Sequence, residues 1–185
     1  MLKGIFCFLL FLVSVTSNGQ SEIWHPGVVV TTDNLVLTGN ILYQGNYELV
    51  VVRCTDDPVA HVLQAKQLKS FRYYDDKADI NRKFISTGNK LYEEVVSGNI
   101  AVWRKSKSGL ANGDDRDDFI YFFSDNQVVY PLMKFRSILY PKISTTVALQ
   151  EKTFHLNPNR PADVVRYIQL YNKSSLLSYT LGALP

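Results

Sequence analysis

Residues 35–54, LVLTGNILYQGNYELVVVRC, form two apolar segments separated by a glycine-containing turn at residues 44–46. Successive side chains of a strand point to opposite faces, and glycine supplies the positive φ that tight hairpin turns require. A two-residue turn would put Val50 and Val52 on the face of Ile41, whereas a three-residue turn would put them on the other face. The stretch therefore predicts a β-hairpin, and the glycine favours the two-residue turn.

Two details of this hairpin carry further predictions. Gly39 lies inside the first strand, where a residue without a side chain indicates a bend, a bulge or the close approach of another backbone. Residues 49–52 are apolar on both faces, which is typical of a strand that is covered on both sides. We therefore expect this hairpin, here called the central hairpin, to belong to a curled sheet.

The composition is that of a folded globular protein. The chain has 185 residues, of which 46% are hydrophobic and 20% are charged, and this length fits one domain. The formal net charge is +3, which is too small to indicate binding to nucleic acid. The aromatic share of 12% favours strands over helices.

Residues 1–19 have the pattern of a secretory signal peptide. Lys3 supplies the positive start, residues 4–15 form an apolar run, and Ser17 and Gly19 are the small residues that precede a cleavage site. The apolar run is shorter than the roughly 20 residues that a membrane-spanning helix needs, and no later segment is long enough either. We expect an exported protein, periplasmic or extracellular, without a transmembrane span.

Removal of the predicted leader takes away Cys7 and leaves Cys54 as the one remaining cysteine. A single thiol cannot form an internal disulfide, so the core and the hydrogen bonds must hold the fold together. With the two-residue turn, Cys54 shares the face of Ile41. We expect a buried, inert thiol there, and a reactive thiol is the less favoured alternative.

Apolar and aromatic alternation predicts about nine strands joined by short turns. No predicted helix lies between them, and this favours an antiparallel meander over parallel crossovers. A turn at Ser97 and Gly98 would place Tyr92 opposite Trp103 on the next strand. Besides the hairpin, the predicted strands are residues 28–32, 61–64, 70–74, 82–87, 91–96, 99–105, 118–123 and 127–130.

The periodicity changes after Pro131, where helices are predicted. Residues 132–140 suit a short helix that stops at Pro141, and Ser144 suits the cap of a second helix that ends near His155. A third helix begins after Asn159 and has Pro161 in its first turn. Its apolar stripe consists of Val164, Tyr167, Ile168 and Tyr171, and its outward face of Arg166, Gln169 and Asn172.

These elements define an α+β fold that is mainly β. We expect a curled sheet, roll or partly closed barrel with two or three C-terminal helices packed on it. Residues 20–173 would form one β-rich domain, with its helical part at about 132–173. Residues 174–185 would be a tail that adds a strand or frays.

Several segments together resemble small exported proteins of Bacteroidota that have no assigned function. They are LTGNILY, SFRYYD followed by NRKF, LYEEVVSGNIAVWRK and YFFSDNQVVYPL, all within about residues 24–172. The resemblance implies an envelope or extracellular location. It assigns no catalytic or binding residue.

Catalytic and cofactor motifs are absent from the sequence. His25, His61 and His155 lie in separate segments without the spacing of a helical metal site. No nucleophile elbow or glycine-rich phosphate loop occurs, and we expect no cofactor. Glu93 and Glu94 are adjacent on a predicted strand, so they point to opposite faces and cannot act as a catalytic pair.

The acidic loop at residues 112–118, NGDDRDD, is the one dense cluster of carboxylates. Asp114, Asp115 and Asp117 could supply oxygens to Ca²⁺, but the order of an EF-hand loop is not present. Arg116 also places a positive charge within the cluster. We favour a solvated loop, with a calcium site as the alternative.

Aromatic side chains on the predicted strands offer a candidate ligand site. Trp103, Tyr92, Tyr121 and Tyr74, with Tyr73 beside the last, could stack against a sugar or a peptide if they are exposed. Aromatic residues are frequent in this chain, and packing in the core accounts for most of them.

The sequence favours a non-enzymatic binding or structural module of the bacterial cell envelope. Its partner would be a glycan, a peptide or another envelope protein. A hydrolase remains an alternative, because catalytic triads and carboxylate pairs form only in three dimensions. A carrier of small hydrophobic molecules is the third hypothesis, and it requires a large apolar cavity.

Overall fold

A computed structural model describes residues 23–57, 59–107, 119–125, 128–144, 156–157 and 159–182. Ten strands lie within these ranges, and a helical segment and one long helix follow them. The strands are β1 (His25–Thr31), β2 (Val36–Gln44), β3 (Leu49–Cys54), β4 (Ala60–Gln64), β5 (Leu68–Asp75), β6 (Ile80–Thr87), β7 (Lys90–Val96), β8 (Ile100–Ser106), β9 (Phe119–Asp125) and β10 (Val128–Pro131).

Short 3₁₀ turns at Gly45–Tyr47 and Ala65–Gln67 connect β2 to β3 and β4 to β5. After β10 the chain continues as a 3₁₀ turn (Leu132–Lys134), a π turn (Phe135–Leu139) and the short helix α1 (Tyr140–Ile143). The long helix α2 spans Pro161–Gly182. None of the helices in the described part of the chain is both long and apolar enough to cross a membrane.

All ten strands belong to one antiparallel sheet in the order β10-β9-β8-β7-β6-β5-β1-β2-β3-β4. The mainly β, antiparallel class is confirmed, and the ten strands of the described ranges are close to the predicted number. The meander is interrupted once, because β5 pairs with β1 and not with β4.

The sheet is open but strongly curled. A flat sheet would separate β4 from β5 by four strand spacings of about 4.8 Å, or roughly 19 Å. Only four peptide units join Gln64 to Leu68, and they reach at most about 14 Å even when extended. The sheet must therefore bend so that the end of β4 approaches the start of β5. The N–H of Thr32, which donates to the carbonyl of Gln67 at 2.9 Å, holds this corner.

The central hairpin has the predicted faces but a longer turn. Ile41 lies opposite Val52, and Tyr43 lies opposite Val50. Gln44 pairs with Leu49, so the turn comprises residues 45–48 and not two residues. Both turn lengths are even, and for this reason the side chains keep the predicted faces.

Gly39 lies against the backbone of β3, so the close approach of another backbone, one of the three explanations predicted for this glycine, is confirmed. A Cβ atom at this position would collide with the carbonyl oxygen of Arg53. Cys54, its partner on β3, has a free thiol and contacts the core, but it is half-buried and not fully buried as predicted. On the same strand Val50 and Val52 are buried, whereas Leu49 and Val51 are half-buried.

Two hydrophobic clusters occupy the same face of the sheet. The first lies inside the curl, where Val29, Ile41 and Phe71 pack together from β1, β2 and β5. The second lies where the helices cover β7–β9, and it includes Val102 and Phe123. Between the two clusters the face carries charged residues, which are described below.

The helical segment after β10 does not stop at Pro141 as predicted. Pro141 lies in the first turn of α1, where a missing N–H removes no helical hydrogen bond. The proposed second helix at residues 144–155 falls almost entirely outside the described residues. Helix α2 runs through Gly182, so the chain from residue 174 to that point continues the helix and does not add a strand.

Helix α2 buries the predicted apolar stripe, since Val164, Tyr167 and Ile168 join the second cluster. One residue of its outward face was assigned wrongly. Asn172 is only 5% exposed, and its side chain bridges the helix to the start of β8. The N–H of Ile100 donates to Asn172 Oδ1 at 3.2 Å, and Asn172 Nδ2 donates to the carbonyl of Ile100 at 2.8 Å.

We expect Asn172→Ala to lower the free energy of unfolding by about 2–3 kcal/mol, because both backbone groups of Ile100 would lose their partner. Urea denaturation monitored by circular dichroism measures the change. Gln169→Ala on the exposed face of α2 is the control and should change the stability by about 0.5 kcal/mol or less. Equal effects of the two variants would contradict the bridging role of Asn172.

The predicted register between β7 and β8 is wrong by two residues. Glu94, and not Tyr92, lies opposite Trp103, and Glu93 lies opposite Arg104. A bulge between Glu94 and Val96 shifts the register near the turn. Strand β9 also runs to Asp125, two residues beyond the predicted end at residue 123.

Candidate functional site

The predicted aromatic site is only partly assembled. The rings of Tyr92 and Trp103 are 5.9 Å apart on one face of the sheet, and both side chains are only 8% exposed. Tyr121 lies opposite Arg104 and therefore points to the other face, and Tyr74 is on β5, two strands away from Tyr92. Buried rings cannot stack with a ligand from solvent, so the premise that Trp103, Tyr92 and also Tyr73 are exposed is wrong.

A ladder of four charged side chains crosses β5–β8 between the two hydrophobic clusters. Arg82 Nε donates to Asp75 Oδ2 at 2.7 Å, and Arg82 Nη1 donates to Glu93 Oε1 at 3.0 Å. Arg104 holds the same carboxylate with two donors, Nε at 2.7 Å and Nη2 at 2.9 Å. We call Asp75, Arg82, Glu93 and Arg104 the charge ladder.

Strand pairing explains why the charge ladder forms. Glu93 and Arg104 are direct partners on β7 and β8, and Arg82 lies diagonally from Glu93 on β6. All four side chains point to the core face, so each charge needs a partner. Two acids and two bases satisfy one another, and the ladder carries no net charge.

The surroundings of the charge ladder favour the charged forms of Asp75 and Arg104. Burial opposes the charge of Asp75, but hydrogen bonds from Arg82 and from the N–H of Ala78 hold the pKa of Asp75 below its ordinary value. Burial also opposes the charge of Arg104, but its hydrogen bonds to Glu93 and Tyr121 raise its pKa above the ordinary value. A fixed, neutral set of ion pairs suits a structural clamp better than proton transfer.

Two tyrosines beside the ladder remain protonated phenols. Tyr73 lies opposite Arg82, and Tyr43 packs against Phe84 with ring centroids 4.7 Å apart. Burial raises the pKa of both Tyr43 and Tyr73 well above the ordinary value, so neither loses its proton near neutral pH. They act as aromatic packing and not as bases.

A small pocket opens at the Arg104 end of the ladder. Its free space is enough for roughly one ordered water molecule. The walls include Tyr43, Phe84, Glu93, Arg104, Lys105 and Phe119. This pocket is too small and too charged for a hydrophobic cargo.

Lys105 at the rim of this pocket is paired with Glu48. Glu48 Oε2 also accepts the N–H of Leu91 at 2.8 Å, so the carboxylate ties the central hairpin to β7. Burial lowers the pKa of Lys105 below its ordinary value. The charged groups at the rim are bonded to each other and to the backbone of the sheet, so they have little remaining capacity to bind a ligand.

The open edge of the sheet at β4 has unused hydrogen-bonding groups. The N–H of Ala65 donates to the carbonyl of Glu48, which places the odd-numbered residues of β4 in the ladder with β3. The N–H of Gln64 instead donates to the Oε1 atom of Gln67, three residues further along the chain, at 2.9 Å. The N–H and C=O groups of Ala60 and Val62 therefore point away from the sheet, and no residue of the described ranges pairs with them.

The two edges of the sheet differ in their protection. Strand β10 is short, ends in Pro131 and runs directly into helical turns. Proline and short length are devices that block pairing at an edge. Strand β4 has no proline or lysine, and its Val62 side chain is 58% exposed. The β4 edge is the more accessible one.

The three histidines have different surroundings. His61 lies on β4 and its Nε2 is 3.0 Å from Asp57 Oδ2, in an exposed pair. His25 starts β1 and stacks on Tyr73, with the ring centroids 4.7 Å apart. His25, Asp75 and Asp76 bring three potential metal-binding atoms within 4.8 Å of one another. His155 and the acidic residues Asp114, Asp115 and Asp117 lie outside the described residues.

Comparisons of the chain with protein-family models, with curated proteins and with solved structures gave no match. The site must therefore be interpreted from its own geometry.

Sequence reasoning missed both the charge ladder and the open edge. The signal for the ladder was present, since Arg82, Glu93 and Arg104 are charges at core-face positions of three consecutive strands. The wrong register hid their pairing. The accessibility of β4 depends on the order of all ten strands, for which the sequence of β4 itself holds no signal.

Proposed function

We propose that the protein is a non-enzymatic binding module that takes up an extended segment of another protein along β4. The observation that carries the proposal is the open edge at Ala60 and Val62, with its outward N–H and C=O groups. An extended peptide added antiparallel to this edge would satisfy those groups and extend the sheet by one strand.

The side chains of β4 suit this mode of binding. Alternate residues of an added strand would lie beside Val62, which offers an exposed apolar contact. On the other face Leu63 is half-buried and His61 is partly exposed, so the partner strand would also cover these side chains. Main-chain hydrogen bonds supply affinity, and side-chain contacts supply modest specificity.

A protein partner is favoured over a glycan or a small molecule. The aromatic rings that would stack with a sugar are buried at Tyr92 and Trp103. The pocket near Arg104 has room for about one water molecule. The ionisable groups around it are committed to ion pairs with one another.

The cell envelope is the proposed place of action. The leader-like pattern at residues 1–19 and the resemblance to exported Bacteroidota proteins support this location. A partner that presents an extended segment would then be another protein of the envelope.

We expect Val62→Pro to abolish peptide binding without unfolding the protein. Proline removes the outward N–H and places its ring at the docking edge, but it removes no hydrogen bond to β3. The peptide to be used is ELVVVRST, which copies residues 48–55 with serine in place of Cys54 and presents a β3-like strand. The backbone amide signal of Ala60 in NMR spectra of ¹⁵N-labelled protein measures the binding during titration.

Val62→Thr is the matched control, since threonine keeps the N–H and the branched shape of valine. The wild type and the Val62→Thr variant should show a saturable shift of the Ala60 signal, and the Val62→Pro variant should show none. A peptide with proline at alternate positions should not bind any of them. An unchanged Ala60 signal in the wild type, or the same titration curve in Val62→Pro, would refute the proposal.

A further inference from the structure

We propose that His25, Asp75 and Asp76 form a binding site for a divalent transition-metal ion of the zinc class. The three residues come from the start of β1 and the end of β5, and their ligand atoms lie within 4.8 Å of one another. This site lies apart from the β4 edge and does not depend on peptide binding there.

The distance between the ligand atoms of His25 and Asp76 fits the binding of one ion by both. Zinc binds imidazole nitrogen and carboxylate oxygen at about 2.0–2.2 Å, and a tetrahedral angle then separates the two ligand atoms by roughly 3.4 Å. His25 Nδ1 is 3.5 Å from Asp76 Oδ1. This distance is long for a hydrogen bond and right for two ligands of one metal ion.

His25 presents an unused ring nitrogen to the site. Its Nδ1 atom is fully buried and makes no hydrogen bond within the described residues, although the side chain as a whole is 13% exposed. A buried polar atom without a partner is unfavourable, and a metal ion would supply the partner. The stacking on Tyr73 fixes the plane of the imidazole ring.

Asp75 is held in place by its own hydrogen bonds. Arg82 Nε donates to Asp75 Oδ2 at 2.7 Å, and the N–H of Ala78 donates to Asp75 Oδ1 at 3.3 Å. Each carboxylate oxygen accepts at two positions, so Oδ1 keeps a lone pair for a metal. Such supporting bonds orient the ligands of metal sites.

Asp76 is the solvent-exposed ligand of the proposed site. Its side chain is 74% exposed, so an ion can enter from solvent and the carboxylate can rotate to close the site. Three protein ligands leave a position for water.

The charges around the site favour a cation, and the donor set selects its class. Asp75 and Asp76 contribute two negative charges, and the positive charge of Arg82 is shared with Glu93. Calcium prefers six to eight oxygen ligands, which this site does not offer. One imidazole with two carboxylates suits Zn²⁺ and similar ions.

Calorimetric titration of the purified, chelator-treated protein with ZnCl₂ tests the proposal. We expect one ion per chain, and a weakening of affinity by roughly 100-fold in His25→Ala and at least about 10-fold in Asp76→Asn. Asp76 is exposed, so its variant keeps the fold, and urea denaturation without metal should show wild-type stability. Bound Co²⁺ gives a second readout through its visible absorption, which should be lost in both variants.

His61→Ala is the matched control, because His61 is the other described histidine with a carboxylate neighbour. It should bind zinc like the wild type. No zinc binding by the wild type, full binding by folded Asp76→Asn, or a loss of binding in His61→Ala would each overturn the proposed site.

Discussion

Glu93→Ala is expected to lower the free energy of unfolding by about 3–5 kcal/mol, which is the usual cost of removing one partner of a buried ion pair. The carboxylate of Glu93 accepts hydrogen bonds from both Arg82 and Arg104. Without it the guanidinium groups of Arg82 and Arg104 would lose the carboxylate that they share. Thermal denaturation should show a lower Tm by about 2–4 °C for each kcal/mol.

The neighbouring residue provides a matched control. Glu94 has the same side chain on the opposite face of β7, and its partner Lys83 is half exposed. The Glu94 side chain is only 11% exposed, but its partner Lys83 reaches solvent, so Glu94→Ala leaves no buried charge without a partner and should have a smaller effect than Glu93→Ala. If both variants lost the same stability, the charge ladder would not be the clamp between the two hydrophobic clusters.

The alternation in residues 35–54 was sufficient to predict the faces of the central hairpin. A two-residue turn and the observed turn at residues 45–48 both have an even number of residues, so Ile41 shares a face with Val50 and Val52 in either case, although its direct partner differs. Whether the number of turn residues is even or odd decides which side chains share a face, so the faces could be predicted without the exact turn length. The exact length of the turn depends on Glu48, which adopts a left-handed conformation with φ of 52°.

Alternation was not sufficient for the register between β7 and β8. Val96 pairs with Val102, so the connection at residues 97–101 is longer than the predicted two-residue turn, and a bulge between Glu94 and Val96 then changes the pairing by one residue. Nothing in the hydrophobic pattern marks either feature. The predicted pairing would have placed Glu93 opposite Val102 and left its charge without a partner. A search for opposite charges on the core face of neighbouring strands would have corrected the register.

Asn172 shows why a helical pattern misjudges single polar residues. An amphipathic helix predicts polar side chains on the solvent side, and Gln169 follows this rule. Asn172 instead satisfies the backbone of Ile100, which is distant in the sequence. Only the packed position of α2 on β8 brings these groups together.

The two proposed sites depend in the same way on contacts between distant parts of the chain. His25 meets Asp75 and Asp76 because β1 inserts between β2 and β5 and breaks the meander. A search limited to neighbouring histidines cannot find such a site. The same insertion of β1 leaves β4 at the edge of the sheet, where its outward groups are available to another chain.

Ile41→Asp is expected to have the largest effect of any single change considered, and it should leave the protein unfolded at 25 °C. Ile41 is completely buried in the first cluster, between β1 and β3. The change removes a large apolar side chain, at a cost of about 2–5 kcal/mol. It also buries a carboxylate without a partner, which adds several kcal/mol more. The total is comparable to the roughly 5–15 kcal/mol that holds a typical domain together.

Val36→Asp on the same strand separates burial from a general effect of charge on β2. Val36 is 58% exposed, so its variant should keep the circular dichroism spectrum and lose about 1 kcal/mol or less. Ile41→Asp should show the spectrum of an unfolded chain and no cooperative transition in urea. A cooperative transition close to that of the wild type would mean that Ile41 is not in the core. The curled sheet, its charge ladder and the open β4 edge would then all need a different arrangement, because each of them is positioned by the strands that pack around Ile41.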